Sequence, residues 1–237
     1  MKSKAYLHLS LAAALLTGAS CRSPKESAPN TSWQETLRGS DKEFHSTGRN
    51  KYFVLEPGFQ LTLEGEEDGG NTELIITVLN ETKTVDGVET RVVEEHESRD
   101  GKVIEISRNY FAIGGNTQHV YYFGEDVDVY SKNGEVSHPG GWRAGVRGAK
   151  KGIMIPGHVA AGQKYYQENA PEVALDRAEN ISTSEKIETP AGAFKNCLKV
   201  KETTPLEAGT EYKIYAPGIG LVKEGGLKLV KFGFVTK

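Results

Sequence analysis

Through most of the chain, apolar residues fall at every second position in short runs. Glycine, proline, aspartate or asparagine closes each run. That is the period of a half-buried strand, whose successive side chains point to opposite faces. In residues 51–64, KYFVLEPGFQLTLE, Pro57-Gly58 turns one segment into the next, and Phe59, Leu61 and Leu63 alternate with Gln60, Thr62 and Glu64. Residues 72–84 predict a longer strand, which Asp86-Gly87 joins as a hairpin to 88–97. Asp100-Gly101 leads into 103–113, Gly114-Gly115-Asn116 into 119–123, and Asn133-Gly134 closes a hairpin after 127–132.

The same rhythm returns in 163–168, 174–188 and, most clearly, 188–234. Pro190-Ala191-Gly192 opens a strand in which Phe194, Leu198 and Val200 share one face and Lys195, Lys199 and Lys201 the other. Tyr212, Ile214 and Ala216 alternate next, Pro217-Gly218 stops that strand, 220–224 forms another, and Gly225-Gly226 turns into 227–234. There, Leu227, Leu229 and Lys231 fall on one parity and Val230 and Phe232 on the other, which predicts a strand covered on both sides. The longest helical period beyond the N-terminus is 170–179, which Pro171 and Val173 limit to a brief turn. Closely spaced turns without intervening helices predict an antiparallel all-β domain, and the absence of an equal-period repeat argues against a propeller or solenoid.

Residues 139–162 break the rhythm. They hold seven glycines together with Trp142, Arg143, Arg147, Lys150 and Lys151, and run into Ile153-Met154-Ile155-Pro156-Gly157. Loops of this length in compact domains either serve a function or pack across an opening.

Composition agrees with many short strands: 237 residues, 37% hydrophobic, 27 glycines. The N-terminus adds a compartment. Lys2 and Lys4 precede a mostly apolar run over 5–16, and Gly18-Ala19-Ser20 leads to Cys21, so residues 1–20 read as an export signal. Removing Lys2 and Lys4 takes the formal charge from −3 to −5, which gives no electrostatic case for nucleic acid. Cys21 resembles the acylated first residue of bacterial lipoproteins, although Gly18 stands where leucine is usual. Ordinary cleavage after Ser20 is the alternative. Acylation implies a membrane anchor without a span, and Arg22 gives no inner-membrane retention cue, so the expected place is the outer membrane. Residues 21–48 then read as the anchor and a flexible tether, although Trp33 and Leu37 are spaced to dock one turn. Residues 49–237 make the domain. Cys197, between Asn196 and Leu198 on a strand, reads as a small buried side chain.

The runs Tyr121-Tyr122-Phe123-Gly124-Glu125-Asp126, Gly141-Trp142, Thr189-Pro190-Ala191-Gly192 and 215–222, YAPGIGLV, with the opening 52–58, YFVLEPG, resemble a widespread family of secreted bacterial β-proteins of unknown function, in the style of TapB-like extracellular proteins. The resemblance spans residues 49–232. It implies a single curved antiparallel sheet, a half-barrel or clam-like meander carrying the long glycine-rich loop, and it implies no reaction. Arg147 and Lys151 fall where that pattern has acidic or apolar residues.

For ligand binding the sequence singles out Trp142, Arg143, Arg147, Lys150 and Lys151 as a basic nest with a stacking surface, and Tyr122 in a pocket beneath it. The plainer alternative is a cover loop whose tryptophan plugs the sheet. Glu125, Asp126 and Asp128 are the carboxylates available for a metal or for acid–base chemistry, with 126 and 128 on one strand face and 125 on the other. His96, His119, His138 and His158 show no metal spacing, and no Gly-x-Ser-x-Gly elbow occurs. No cofactor, catalytic residue or metal ligand is assigned. The expected function is a non-enzymatic envelope lipoprotein that binds an apolar ligand, a lipid, a glycan or an envelope protein. A polymer hydrolase using the carboxylates and a structural adhesion module are the alternatives.

Overall fold

The structure, a computed structural model, describes residues 32–235. The expected export signal, Cys21 and the first part of the expected tether lie outside the described residues. Three two-residue strands come first: β1 (Phe44–His45), β2 (Arg49–Asn50) and β3 (Phe53–Val54). A meander of long strands follows: β4 (Phe59–Glu67), β5 (Gly70–Val85), β6 (Val88–Arg99), β7 (Lys102–Gly114) and β8 (Val120–Tyr130). Four short strands occupy the middle: β9 (Val136–Ser137), β10 (Trp142–Arg143), β11 (Gly152–Ile155) and β12 (Lys164–Tyr166). A second meander ends the chain: β13 (Arg177–Thr189), β14 (Gly192–Thr203), β15 (Glu211–Ala216), β16 (Gly220–Glu224) and β17 (Leu227–Phe234).

All but β2 and β3 belong to one antiparallel sheet in the order β10-β8-β7-β6-β5-β4-β17-β16-β15-β14-β13-β12, not closed into a barrel. The two meanders are joined where β4 pairs with β17, Leu63 opposite Leu229. The far ends of the sheet approach at one isolated bridge, Lys150 with Asn169, and at Gly152, where a Cβ would meet the Gln167 carbonyl at 2.0 Å. The hairpins form as their turn residues dictate. Asp86 and Gly87 sit at φ 49 and 74°, and Asp100 and Gly101 at φ 49 and 74°, the left-handed pair that matches strand twist.

Inward side chains from both meanders fill the concave side: Leu61, Leu63, Leu74, Val93, Phe111, Leu198, Val200, Tyr215, Leu227 and Leu229 are buried. Each such side chain contributes roughly 1.5–3 kcal/mol on leaving water. Cys197 is buried among them, and burial raises its thiol pKa.

Four features differ from the sequence reading. Residues 119–123 and 127–132 form one strand, β8, because Gly124 at φ 134° carries the chain through an irregularity so close to β10 that a Cβ would meet the Trp142 carbonyl at 2.2 Å. The glycine-rich stretch is not a free loop: β10 and β11 stitch it along β8, and β9 pairs with β8 just before it. The described part of the expected tether is docked. Gln34 bridges to Tyr165, Phe44 packs edge-on against Tyr121 and Phe123, and Asp41 accepts from Asn116 N at 2.7 Å, Thr117 N at 2.9 Å and Tyr121 OH at 2.9 Å. Finally, extra residues shift the parity of the last strands. Leu229 pairs with Leu63 but Lys231 with Thr62, so the inserted Val230 sends Lys231 outward rather than along the face of Leu227 and Leu229. Residues 170–179 agree with the reading and hold one turn only: Ala174 N bonds back to Ala170 O, and β13 begins at Arg177.

Candidate functional site

On β15 the apolar pattern is inverted. Tyr212 is 45% exposed and Ile214 half-buried, both facing out, while Lys213 and Tyr215 face in. What holds a lysine inside is a pair of carboxylates: Lys213 Nζ lies 3.1 Å from Glu202 Oε2 and 2.8 Å from Glu224 Oε1. Both come from neighbouring strands on the same face, and Gln167 Nε2 donates to the other Glu202 oxygen at 2.9 Å. Burial alone would depress the ammonium, but Glu202 and Glu224 hold it well above the usual lysine range.

Lys213 lies between two hollows and lines both. Below it, Phe53, Phe59, Leu61, Ile76, Phe111 and Ile219 line a narrow apolar cavity of about 60 Å³, which Glu95, Glu224 and Lys213 close. Above it, Asp176, Glu202, Thr203, Thr204 and Glu211 surround a wider mouth of about 270 Å³. More carboxylates stand on the same concave face of the first meander, since Glu95 and Glu97 on β6 and Glu105 on β7 alternate with outward residues. Glu95 keeps some accessible surface, but that surface faces the cleft. Burial, and after it Glu224, push its pKa up to about 8.

A second buried group lies under Trp142. Tyr122 OH approaches Asn109 Oδ1 at 2.5 Å and Glu125 Oε2 at 2.9 Å. One phenol proton cannot serve both acceptors. Burial lifts Glu125 to about 7, and a protonated Glu125 donates to Tyr122, which donates to Asn109. Glu168, also raised by burial and by the nearby Glu125 and Asp176, accepts from Trp142 Nε1 at 3.4 Å. The tryptophan is 5% exposed and packs edge-on against Tyr122, so it walls the concave side off from the surface.

The residues chosen from sequence therefore separate into three places. Trp142 and Tyr122 are inside. Arg143 and Arg147 line an outer groove of about 660 Å³ with Arg108, Asp126, Asp128 and His138. Lys150 and Lys151 belong to a different hollow, Lys150 paired with Glu35 at 2.7 Å and Lys151 over the rings of Phe44 and Tyr121. In the groove the charges are already matched. Arg143 reaches Asp126 at 2.5 Å and donates to the Glu125 and Trp142 carbonyls, and Asp128 takes Arg108 and His138. Asp126 is desolvated, yet Arg143 and Tyr110 hold its pKa low. Arg147 and Lys151 make no ion pair among the described residues, but they line different hollows, so the five do not form a nest.

The carboxylates separate as strand parity requires, Glu125 inward and Asp126 and Asp128 outward. The histidines stay apart: His119 accepts from Gly157 N at 2.8 Å in a buried setting that lowers its pKa, His138 sits in the groove, and His158 is exposed. Among the described residues no three His, Cys, Asp or Glu side chains are grouped to hold a metal ion. Sequence reading missed Lys213, Glu95, Glu202 and Glu224. Their signal was present as charged residues alternating with outward apolar ones on β15 and with outward His96 on β6. Comparison with protein-family models, with curated proteins and with solved structures returns no match, so the family resemblance stands on its motifs alone.

Proposed function

We propose that this chain is an envelope lipoprotein, anchored through Cys21, that binds a small amphipathic molecule without chemically changing it. The observation that carries the reading is the cleft at Lys213, where an apolar floor meets a carboxylate-rich mouth in the hollow of an open sheet. Burying several carboxylates around one lysine costs folding energy that an apolar filling would not. Perturbed acids gathered in a cleft are the usual mark of a site. A short alkyl portion fits the floor, and an amine or hydroxyl head fits the mouth, where carboxylates outnumber the single lysine. That excess disfavours an anionic head.

Native mass spectrometry of the chain purified from its own host tests this. A retained small molecule on the wild type that is lost when Ile219→Trp fills the floor supports the reading. A wild type that carries nothing and takes up no amphiphile contradicts it. One observation favours a second reading, that of a hydrolase: Glu125 and Glu168 stand near each other, and both are held in the proton-donating range. In that case Glu125→Gln abolishes turnover of an envelope polymer while leaving binding intact.

A further inference from the structure

The outward face of β14–β17 carries charge of the opposite sign. Register places Lys199 beside Ile214, Lys201 beside Tyr212, Ile214 beside Lys223, Lys223 beside Lys228, and Lys231 opposite Thr62. Five lysines thus share one side of four adjacent strands, and none of them is ion-paired among the described residues; only Lys199 has a ring partner, Tyr212, at 5.0 Å. The carboxylates on this side are Glu179, opposite Lys201 and paired with Lys164 at 3.5 Å, Glu64 and Glu66 on β4, and Glu73 on β5, with Glu64 between Lys228 and Glu73. Five unneutralised lysines side by side repel one another, and on a chain whose net charge is −3 this cationic face is not a by-product of composition. Exposed Tyr212 and half-buried Ile214 interleave the lysines with apolar surface.

A second observation concerns the N-terminal strap. Trp33 lies under Arg177 at 4.6 Å and Lys164 at 5.5 Å. Lys164, Glu179, Lys201 and Tyr212 form one cross-strand row on the outward face. The described chain therefore begins at the margin of the lysine face. The stretch from Cys21 to Trp33 spans at most roughly 40 Å when fully extended.

We infer that the lysine face of β14–β17 rests on an anionic phospholipid bilayer, with its ammonium groups at the headgroup phosphates and Tyr212 at the interface. Lysines within a Debye length of such a surface each add to binding, and their long stems let the charges reach it while Ile214 stays covered. The lysine face acts with or without an acyl chain; only the statement that anchor and face meet the same membrane rests on the acylation proposed for Cys21. The concave cleft then opens away from the bilayer.

The test is sedimentation of the chain from Arg22 to Lys237, which keeps every described residue, with vesicles of equimolar phosphatidylglycerol and phosphatidylcholine. Binding at low salt that falls as salt rises, with none to pure phosphatidylcholine, is expected. Each Lys→Gln change should lower partition about fivefold, so Lys199→Gln with Lys223→Gln and Lys228→Gln should lower it about a hundredfold. The pair Lys228→Gln and Lys231→Gln, both exposed, repeats the measurement with the least risk to folding. Equal binding to neutral vesicles, undiminished binding of these variants, or retention on a sulfated polymer without vesicle binding overturns the inference. Fatty-acid labelling of the full chain in its host tests Cys21 separately. Vesicle binding without labelling refutes the anchor and keeps the face.

Discussion

Strands β14–β17 present two faces built from the same few residues in opposite ways. Inward, Glu202, Lys213 and Glu224 close on one another, with side-chain exposures of 10%, 18% and 20%. Outward, Lys199, Lys201, Lys223, Lys228 and Lys231 make no ion pair among the described residues, although Glu179 faces Lys201 and Glu64 faces Lys228 across the strands. The alternation of a strand is all that separates Lys213 from its neighbour Ile214, or Lys223 from Glu224. In water a lysine is held by solvent and costs little; inside, the same ammonium persists only because two carboxylates lie within about 3 Å. The comparison teaches that charge on this sheet is sorted by face, and that each face suits a different partner.

The largest way to break the contrast is Lys213→Met. It leaves Glu202 and Glu224 buried without a counter-charge, and a loss of about 3–5 kcal/mol in chemical denaturation at neutral pH is expected. A variant as stable as the wild type at neutral pH would mean that the interior is wetter than its packing indicates.

The next effect is one of pH. The folded-state pKa of Glu95, about 8, lies above its ordinary value of 4.5. Between those values the folded chain holds more protons than the unfolded one, so Glu95's contribution to stability falls as pH rises through the window. Glu95→Gln should therefore raise stability by about 1–3 kcal/mol near pH 8 and change it little near pH 5, as thermal melts at the two pH values will show. A stabilisation independent of pH would detach Glu95 from the buried acids.

The smallest effect belongs to the outer face. Lys228→Gln should move stability by no more than about 0.5 kcal/mol, since the side chain is exposed and makes no ion pair among the described residues. A loss as large as that of Lys213→Met would show that the outer lysines are structural after all.

The strands were legible because turn pairs such as Asp86-Gly87 and Asp100-Gly101 have few other uses, and because Leu61-x-Leu63 and Leu198-x-Val200 alternate cleanly. The curvature entered through resemblance, and the open sheet agrees with it. The site was much less legible. Alternation was read as apolar-in, and β15 violates it: Tyr212 and Ile214 look like the core face until Glu202 and Glu224 are seen to hold Lys213 inside. Those three residues come from three strands, and only the register brings them together. The inserted Val230 is equally silent in sequence, yet it decides which way Lys231 points. The Trp142 loop drew attention through its composition, but pairing along β8 dispersed its charges and turned the tryptophan into a wall.

The cleft is tested most directly by calorimetric titration with two amphiphiles that share one short alkyl tail, one ending in an amine and the other in a carboxylate. The account predicts that at neutral pH the amine binds at one site, and that its heat varies with the buffer because protons are displaced from the raised carboxylates. It also predicts that the carboxylate fails to bind and that Ile219→Trp abolishes the amine signal. Equal binding of the two, or amine binding that survives Ile219→Trp, would contradict it.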